Sequence, residues 1–144
     1  MGVGVVVVVA LDQATKQLVR SSLAVGGERH ILPGIELVRT TNTGVAFSLF
    51  SGSAATVTVL ALLVLALLLA FFARHATQPL LWLPTGMIAG GALGNLIDRL
   101  RLGAVTDFIK LPDWPAFNIA DSALTLGVIA LALIIGRGGT ARSS

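Results

Sequence analysis

Asp121 stands at the mouth of FNIADSALTLGVIALALIIG, an apolar run from Phe117 to Gly136, in a stretch with no Lys or Arg between Lys110 and Arg137. An ionised carboxylate beside hydrocarbon is poorly solvated, and its presence there calls for a function. The other polar residues near the same ends of the apolar segments are Asp12, Lys16, Asn95, Asp98, Arg99, Asp107 and Asn118. Asn95 and Asp98 are three apart, as are Asn118 and Asp121, so each pair projects from one side of a helix. Asp12 and Lys16 are one turn apart and partly neutralise each other. If Lys16 serves Asp12 and Arg99 serves Asp98, then Asp107 and Asp121 have no assigned cation, although Arg101 and Lys110 are near in sequence. Two carboxylates brought together at a membrane edge share one proton, which makes one a base and the other an acid. Such a pair can activate water against an amide carbonyl.

Each residue also has a plainer explanation. Asn118 or Asp121 could cap the fourth helix, where a side-chain oxygen accepts free backbone N–H groups and the helix dipole favours negative charge. Asp98 with Arg99, and Asp12 with Lys16, could be interfacial charge pairs, and Asp107 a loop carboxylate in water. Other hydrolytic chemistries lack their residues. There is no Cys, which removes thiol nucleophiles, thiolate metal sites and disulfides. The two His, His30 and His75, have no second His or carboxylate at the spacing of a zinc helix, so no metal or other cofactor is expected. A Ser–Lys pair would have to be assembled from Lys16 or Lys110 without a recognisable Ser context. A competing class is a proton relay or transporter-like protein, in which carboxylates are strung along the membrane depth rather than gathered at one face. A third is a lipid-binding scaffold without catalysis.

The elements that must position these groups follow from composition. Of 144 residues, 55% are hydrophobic and 12% charged, with a mean hydropathy of +0.90; a soluble domain is about a quarter charged. The class is an all-α membrane protein, one integral membrane domain over residues 1–144. A spanning helix needs about 20 mostly apolar residues, which selects four helices at about 2–22, 54–73, 80–98 and 118–136. The first begins in MGVGVVVVVAL, which has neither a basic region before it nor a small-residue cleavage site after it, so it reads as a retained helix rather than a signal peptide. Gly86, Gly90 and Gly94, with Gly91 beside them, form a seam for close helix packing. The polar segments at about 24–53 and 99–117 lie together on one side, opposite the termini. In the first, alternation over Ile35–Arg39 and the turn signal Asn42–Gly44 predict a small β-sheet between helices 1 and 2. Trp82 and Trp114 sit where interfacial aromatics are expected. The net charge of +3 with scattered basic residues argues against nucleic acid.

Five blocks, DQATK (12–16), NTGVAFSLF (42–50), GGALGNLIDR (90–99), VTDF (105–108) and FNIADS (117–122), occur in the order of the lipoprotein signal peptidase (signal peptidase II) family and cover nearly the whole chain. The chain resembles that family. The resemblance implies a membrane aspartyl endopeptidase with four transmembrane helices, a small extracytoplasmic sheet and cytoplasmic termini, monomeric in the bacterial cytoplasmic membrane. It implies Asp107 and Asp121 as the catalytic pair, with Asn118, Asn95, Asp98 and Arg99 positioning them and Asp12, Lys16 and Asn42 around the site. It implies as partners membrane lipid and a diacylglyceryl-modified prolipoprotein, cut on the amino side of the lipidated Cys. Relatives usually carry a basic overhang before the first helix, so a start within the apolar run suggests a truncated or misplaced N-terminus. Fourteen positions separate Asp107 from Asp121, which suggests a small lid near Pro112–Pro115.

Overall fold

The structure is a computed structural model and describes residues 1–44, 54–74 and 80–140. Four long helices and three strands follow in the order α1 (Gly2–Ser22), β1 (Glu28–Leu32), β2 (Ile35–Asn42), α2 (Ala54–Arg74), α3 (Trp82–Leu102), β3 (Val105–Lys110) and α4 (Ile119–Thr140). Five consecutive valines, Val5–Val9, disfavour helix by intrinsic propensity. In apolar surroundings that preference is overridden, because only a helix satisfies every backbone group within one segment. Among the described residues, two helices are long and apolar enough to cross a membrane, α1 and the Ile119–Gly136 part of α4.

α3 packs against each of the other three helices, and its glycines explain why. A Cβ on Gly90 would lie 2.7 Å from Val8 Cβ and 3.1 Å from the Val5 carbonyl, and one on Gly86 would lie 3.6 Å from Gly4 Cα. The backbones of α1 and α3 therefore approach closely along the predicted seam. Gly91 faces the other way, onto Ala120 and Leu124 of α4. The interior that results holds polar and charged side chains beside apolar ones, while large apolar side chains face outward. Lys16, Asn118, Thr85, Asp12 and Asp98 are among the largest fully buried side chains, whereas Val3, Leu63, Leu67, Leu126 and Leu133 point outward.

The sheet has the order β1–β2–β3, antiparallel throughout. The turn between β1 and β2 is Pro33-Gly34, with Gly34 at φ 78°, a conformation Pro-Gly supplies at little cost. Arg39 on β2 donates to the carbonyls of Arg20 (3.0 Å) and Leu23 (2.8 Å), which ties the sheet to the open end of α1. Here the structure adds to the sequence reading. Strands β1 and β2 lie between the first two helices as expected, but the third strand comes from the segment after α3, and it carries Asp107. That segment is VTDFIK, whose burial on both faces hides the alternation by which a strand is recognised. α3 also continues past residue 98 to Leu102, so Arg99 and Arg101 belong to its last turn. Gly103, at φ 75°, then ends the helix by donating to the Arg99 carbonyl at 3.0 Å.

Candidate active site

The candidate residues converge at one end of the bundle, formed by the later half of α1, the C-terminal half of α3, the start of α4 and β3. Asp107 pairs with Thr40 across the sheet, with Asn42 two residues further along β2 on the same face. Asn42 Nδ2 donates to Asp107 Oδ2 at 3.1 Å. On the other side Asn118 Nδ2 donates to Asp107 Oδ1 at 2.7 Å. Asn118 is brought there because Phe117 pairs with Ile109 next to Asp107, through N–H···O bonds of 2.8 and 3.0 Å. The chain between them is thereby closed into a short loop.

Asn118 then starts α4, and the capping explanation is correct for it. Its Oδ1 accepts from Asp121 N at 2.9 Å, while Asp121 Oδ2 accepts from Asn118 N at 3.2 Å, the reciprocal arrangement of a capping box. Asp121 is thus part of the cap and still has Oδ1, which accepts from Asn95 Nδ2 at 2.7 Å. Both carboxylates hydrogen-bond to one residue, Asn118, which is fully buried. Burial pushes the Asp107 carboxyl up to about 6; the charge of Asp121 adds to this, against the hydrogen bonds from Asn42 and Asn118 and the charge of Lys16. A cavity of about 400 Å³ opens on Asp107 between Thr40, Asn42, Lys110 and Ala116. Another, of about 320 Å³, opens on Asp121 between Phe117, Ser122, Thr125 and Leu126.

Behind them lies a buried charge cluster. Lys16 Nζ is 2.8 Å from Asp12 and 3.3 Å from Asp98. Arg20 is 3.5 Å from Asp98 and donates to Thr106 Oγ1 at 3.1 Å. Asp12 Oδ1 accepts from Ala120 N at 3.0 Å, so an acid on α1 satisfies a free N–H at the start of α4. Gly94 provides the space, since a Cβ there would lie 2.6 Å from Asp12 Oδ2. Asp98 Oδ2 accepts from Thr106 N at 2.9 Å and holds β3 against the helices.

The Asp98–Arg99 charge pair that the sequence allowed as a plainer explanation does not form among the described residues. Neighbouring positions on a helix do not face each other, and Asp98 takes its cations from α1 instead. Arg99 Nε has no hydrogen-bond partner among the described residues, although Asp121, Asp107 and Asp98 all act on the guanidinium electrostatically. Gln13, Arg20 and Thr106 escaped the sequence reading. Arg20 was within reach of it, because Asp12, Lys16 and Arg20 repeat at four-residue intervals along one face of α1. Gln13, which bridges Asp12 (3.1 Å) and Asp98 (3.2 Å), carries no such signal. Residues 45–50 of NTGVAFSLF lie outside the described residues.

The family model described as signal peptidase (SPase) II matches residues 4–136. A lipoprotein signal peptidase of Dehalococcoides mccartyi is 43% identical over 129 residues, covering 85% of this chain and 80% of that protein. One from Parasynechococcus marenigrum is 46% identical over 129 residues, covering 85% and 79%. A solved bacterial membrane enzyme, determined by the in meso method, superposes with a TM-score of 0.86 at 32% identity, covering 92% of this chain and 90% of its own. The acids are gathered at one end of the bundle rather than along it, and the matches run through every block that supplies them: the chain belongs to the signal peptidase II family, aspartic peptidases that remove the signal peptides of prolipoproteins.

Proposed function

We propose that Asp107 and Asp121 are the catalytic pair, and that they cut a diacylglyceryl-modified prolipoprotein on the amino side of its lipidated Cys. The observation that carries this reading is the bridging of the two carboxylates by Asn118, with a cavity opening on each of them. Asp107, 3% exposed and raised by its burial, holds the shared proton and gives it to the carbonyl oxygen. Asp121 takes a proton from the attacking water, whose oxygen bonds to the carbonyl carbon to form a gem-diol. The gem-diol then collapses. One hydroxyl proton returns to Asp107, Asp121 passes its proton to the leaving nitrogen, and the C–N bond breaks. The pair ends with the single proton it began with, and the new amine is that of the lipidated Cys.

All four helices cross the bacterial cytoplasmic membrane in this reading, with both termini cytoplasmic and the sheet and acids at the extracytoplasmic face. The outward apolar residues of α1, α2 and α4 support it. So does the need to deliver a peptide anchored by its lipid, since acyl chains contribute about 0.8 kcal/mol per buried CH₂ and fix the depth of the scissile bond. The purified protein, acting as a monomer without cofactor, is expected to release an intact signal peptide from the diacylglyceryl substrate. The unlipidated substrate of the same sequence should be cut at least about 100-fold more slowly, because lost remote binding lowers turnover. Mass spectrometry of the products checks this, and equal cleavage of the two substrates refutes the lipid requirement.

The pH dependence follows from Asp107. A carboxyl raised to about 6 is protonated below that pH and ionised above it, so the free enzyme loses its acid as pH rises. The ratio kcat/KM should decline above about pH 6. The limb in kcat should lie higher, since bound peptide and acyl chains remove further water from Asp107. A kcat/KM profile that is flat from pH 5 to 9 contradicts the assignment of the proton to Asp107.

A further inference from the structure

A buried ion-pair cluster needs a reason. Lys16 and Asp12 are wholly buried and Asp98 is 1% exposed, and apolar residues of similar volume in such places are often no less stable than the ions. The contacts of Lys16 supply the reason. Its ammonium has three protons and finds three acceptors: Asp12 Oδ2 at 2.8 Å, Asp98 Oδ2 at 3.3 Å and Asn95 Oδ1 at 2.9 Å. Two of these neutralise charge. The third leads out of the cluster toward the reaction centre.

Asn95 can sit in two ways, related by a flip of its amide. With Oδ1 toward Lys16, Nδ2 points at Asp121 Oδ1, 2.7 Å away. With the amide reversed, Nδ2 would face the ammonium and Oδ1 would face the carboxylate, donor against donor and acceptor against acceptor. Asn118 Nδ2 also donates to Asn95 Oδ1, but at 3.2 Å and while serving Asp107 Oδ1 at 2.7 Å and the Thr106 carbonyl at 3.3 Å. It is a weak substitute. The cation also polarises the amide, which strengthens the hydrogen bond passed on to Asp121.

We propose that Lys16 is a positioning residue for the hydrolysis: it fixes the amide of Asn95 so that Asn95 holds Asp121 in its reactive orientation. The proposal rests on the reading of Asp107 and Asp121 as the catalytic pair. Lys16 touches neither acid of that pair; apart from the action of its charge on Asp107, it reaches the pair through one side chain, Asn95, which holds Asp121. A purely structural Lys16 would matter for folding and for nothing beyond it.

The discriminating variant keeps the cluster neutral. Lys16→Met combined with Asp12→Asn removes one charge of each sign, leaves Asp98 with Arg20, and leaves an Asn oxygen to accept from Ala120 N. In the full-length protein this pair should unfold within a few degrees of the wild type and keep its KM, while kcat falls about 10- to 100-fold, the range for partners that orient a reactive group. Asp12→Asn alone should keep more turnover than the pair, because Lys16 still reaches Asn95. Asn95→Leu should lower kcat by a similar factor, and adding the Lys16→Met/Asp12→Asn pair to it should cost less than about twofold more, since both cut one chain. A kcat within twofold of the wild type for the neutral pair, or full additivity with Asn95→Leu, overturns the proposal. Should the neutral pair not fold, Asn95→Leu decides alone: it leaves every charge in place, and wild-type kcat there breaks the link. Asp121→Asn runs alongside as the control. If that variant still turns over, the catalytic pair itself is wrongly assigned; if it is dead while the neutral pair is fully active, only the role of Lys16 is refuted.

Discussion

Asp107→Asn and Asp121→Asn should each lower cleavage of a diacylglyceryl prolipoprotein by about 10³-fold or more while leaving the fold and substrate binding in place. The structure makes this a usable test, because Asn keeps one of the two acceptor oxygens of each Asp, giving up the bond from Asn95 at residue 121 and one of the bonds from Asn42 and Asn118 at residue 107. At residue 121 an Asn oxygen can still accept from Asn118 N, so the capping box survives, and Asn caps about as well as Asp. At residue 107 an Asn oxygen can accept from either Asn42 or Asn118. Beyond that one bond, what each variant loses is the ability to take up and release a proton. The double variant should be scarcely worse than either single one, since two groups sharing one proton act as a unit. Cleavage by Asp121→Asn at a rate comparable to the wild type would leave Asp121 as a cap only and remove the basis for the mechanism.

That the cap and the proposed catalytic group are the same residue explains why the sequence left two readings open. FNIADS at the head of an apolar run has the spacing of a capping box and the residue of an aspartic peptidase, and the structure uses it for the first while leaving Asp121 Oδ1 available for the second. Helices were legible where hydropathy ran unbroken, because apolar segments of that length have few alternatives. The third strand was not, since β3 is buried on both faces and its partner, β2, is 63 to 74 positions earlier along the register. Charge pairing was legible only within a helix. Asp12 with Lys16 follows from four-residue spacing, whereas Asp98 with Lys16 and Arg20 depends on how α1 crosses α3. The glycine seam was visible, but its division of labour was not: Gly86, Gly90 and Gly94 face α1, and Gly91 faces α4.

Gly91→Ala is the substitution in which packing and chemistry meet. The added Cβ would collide with the Ala120 carbonyl oxygen and lie 2.9 Å from Leu124 Cγ and 3.2 Å from Leu124 N. A side chain could turn aside, but the carbonyl and N–H belong to the first turns of α4, so the helix must move as a body. Asp121 is the residue after Ala120 and moves with it, away from Asn95 on α3. Overpacking of this kind costs about 1–3 kcal/mol, and a displacement of about 1 Å at a reacting group can cost about 10²-fold in rate. Turnover per folded molecule should therefore fall by about that factor, with a lowered unfolding temperature. Gly127→Ala separates the two effects. Its Cβ would lie 2.7 Å from Ile88 Cγ1 and 2.9 Å from the Pro84 carbonyl, in the same seam but six residues beyond Asp121. It should lose comparable stability and keep more of its turnover. Gly136→Ala, whose new methyl group would meet no atom within 4 Å among the described residues outside its own stretch of helix, should be neutral or slightly stabilising. Thermal unfolding in detergent together with kcat on the lipidated substrate distinguishes the three. If Gly91→Ala folds and turns over like the wild type, α4 is not held in register by this contact and the seam serves packing alone. If turnover falls in step with stability across all three variants, the loss is global. A loss concentrated at Gly91 means that the backbone contact between α3 and α4 sets the position of Asp121.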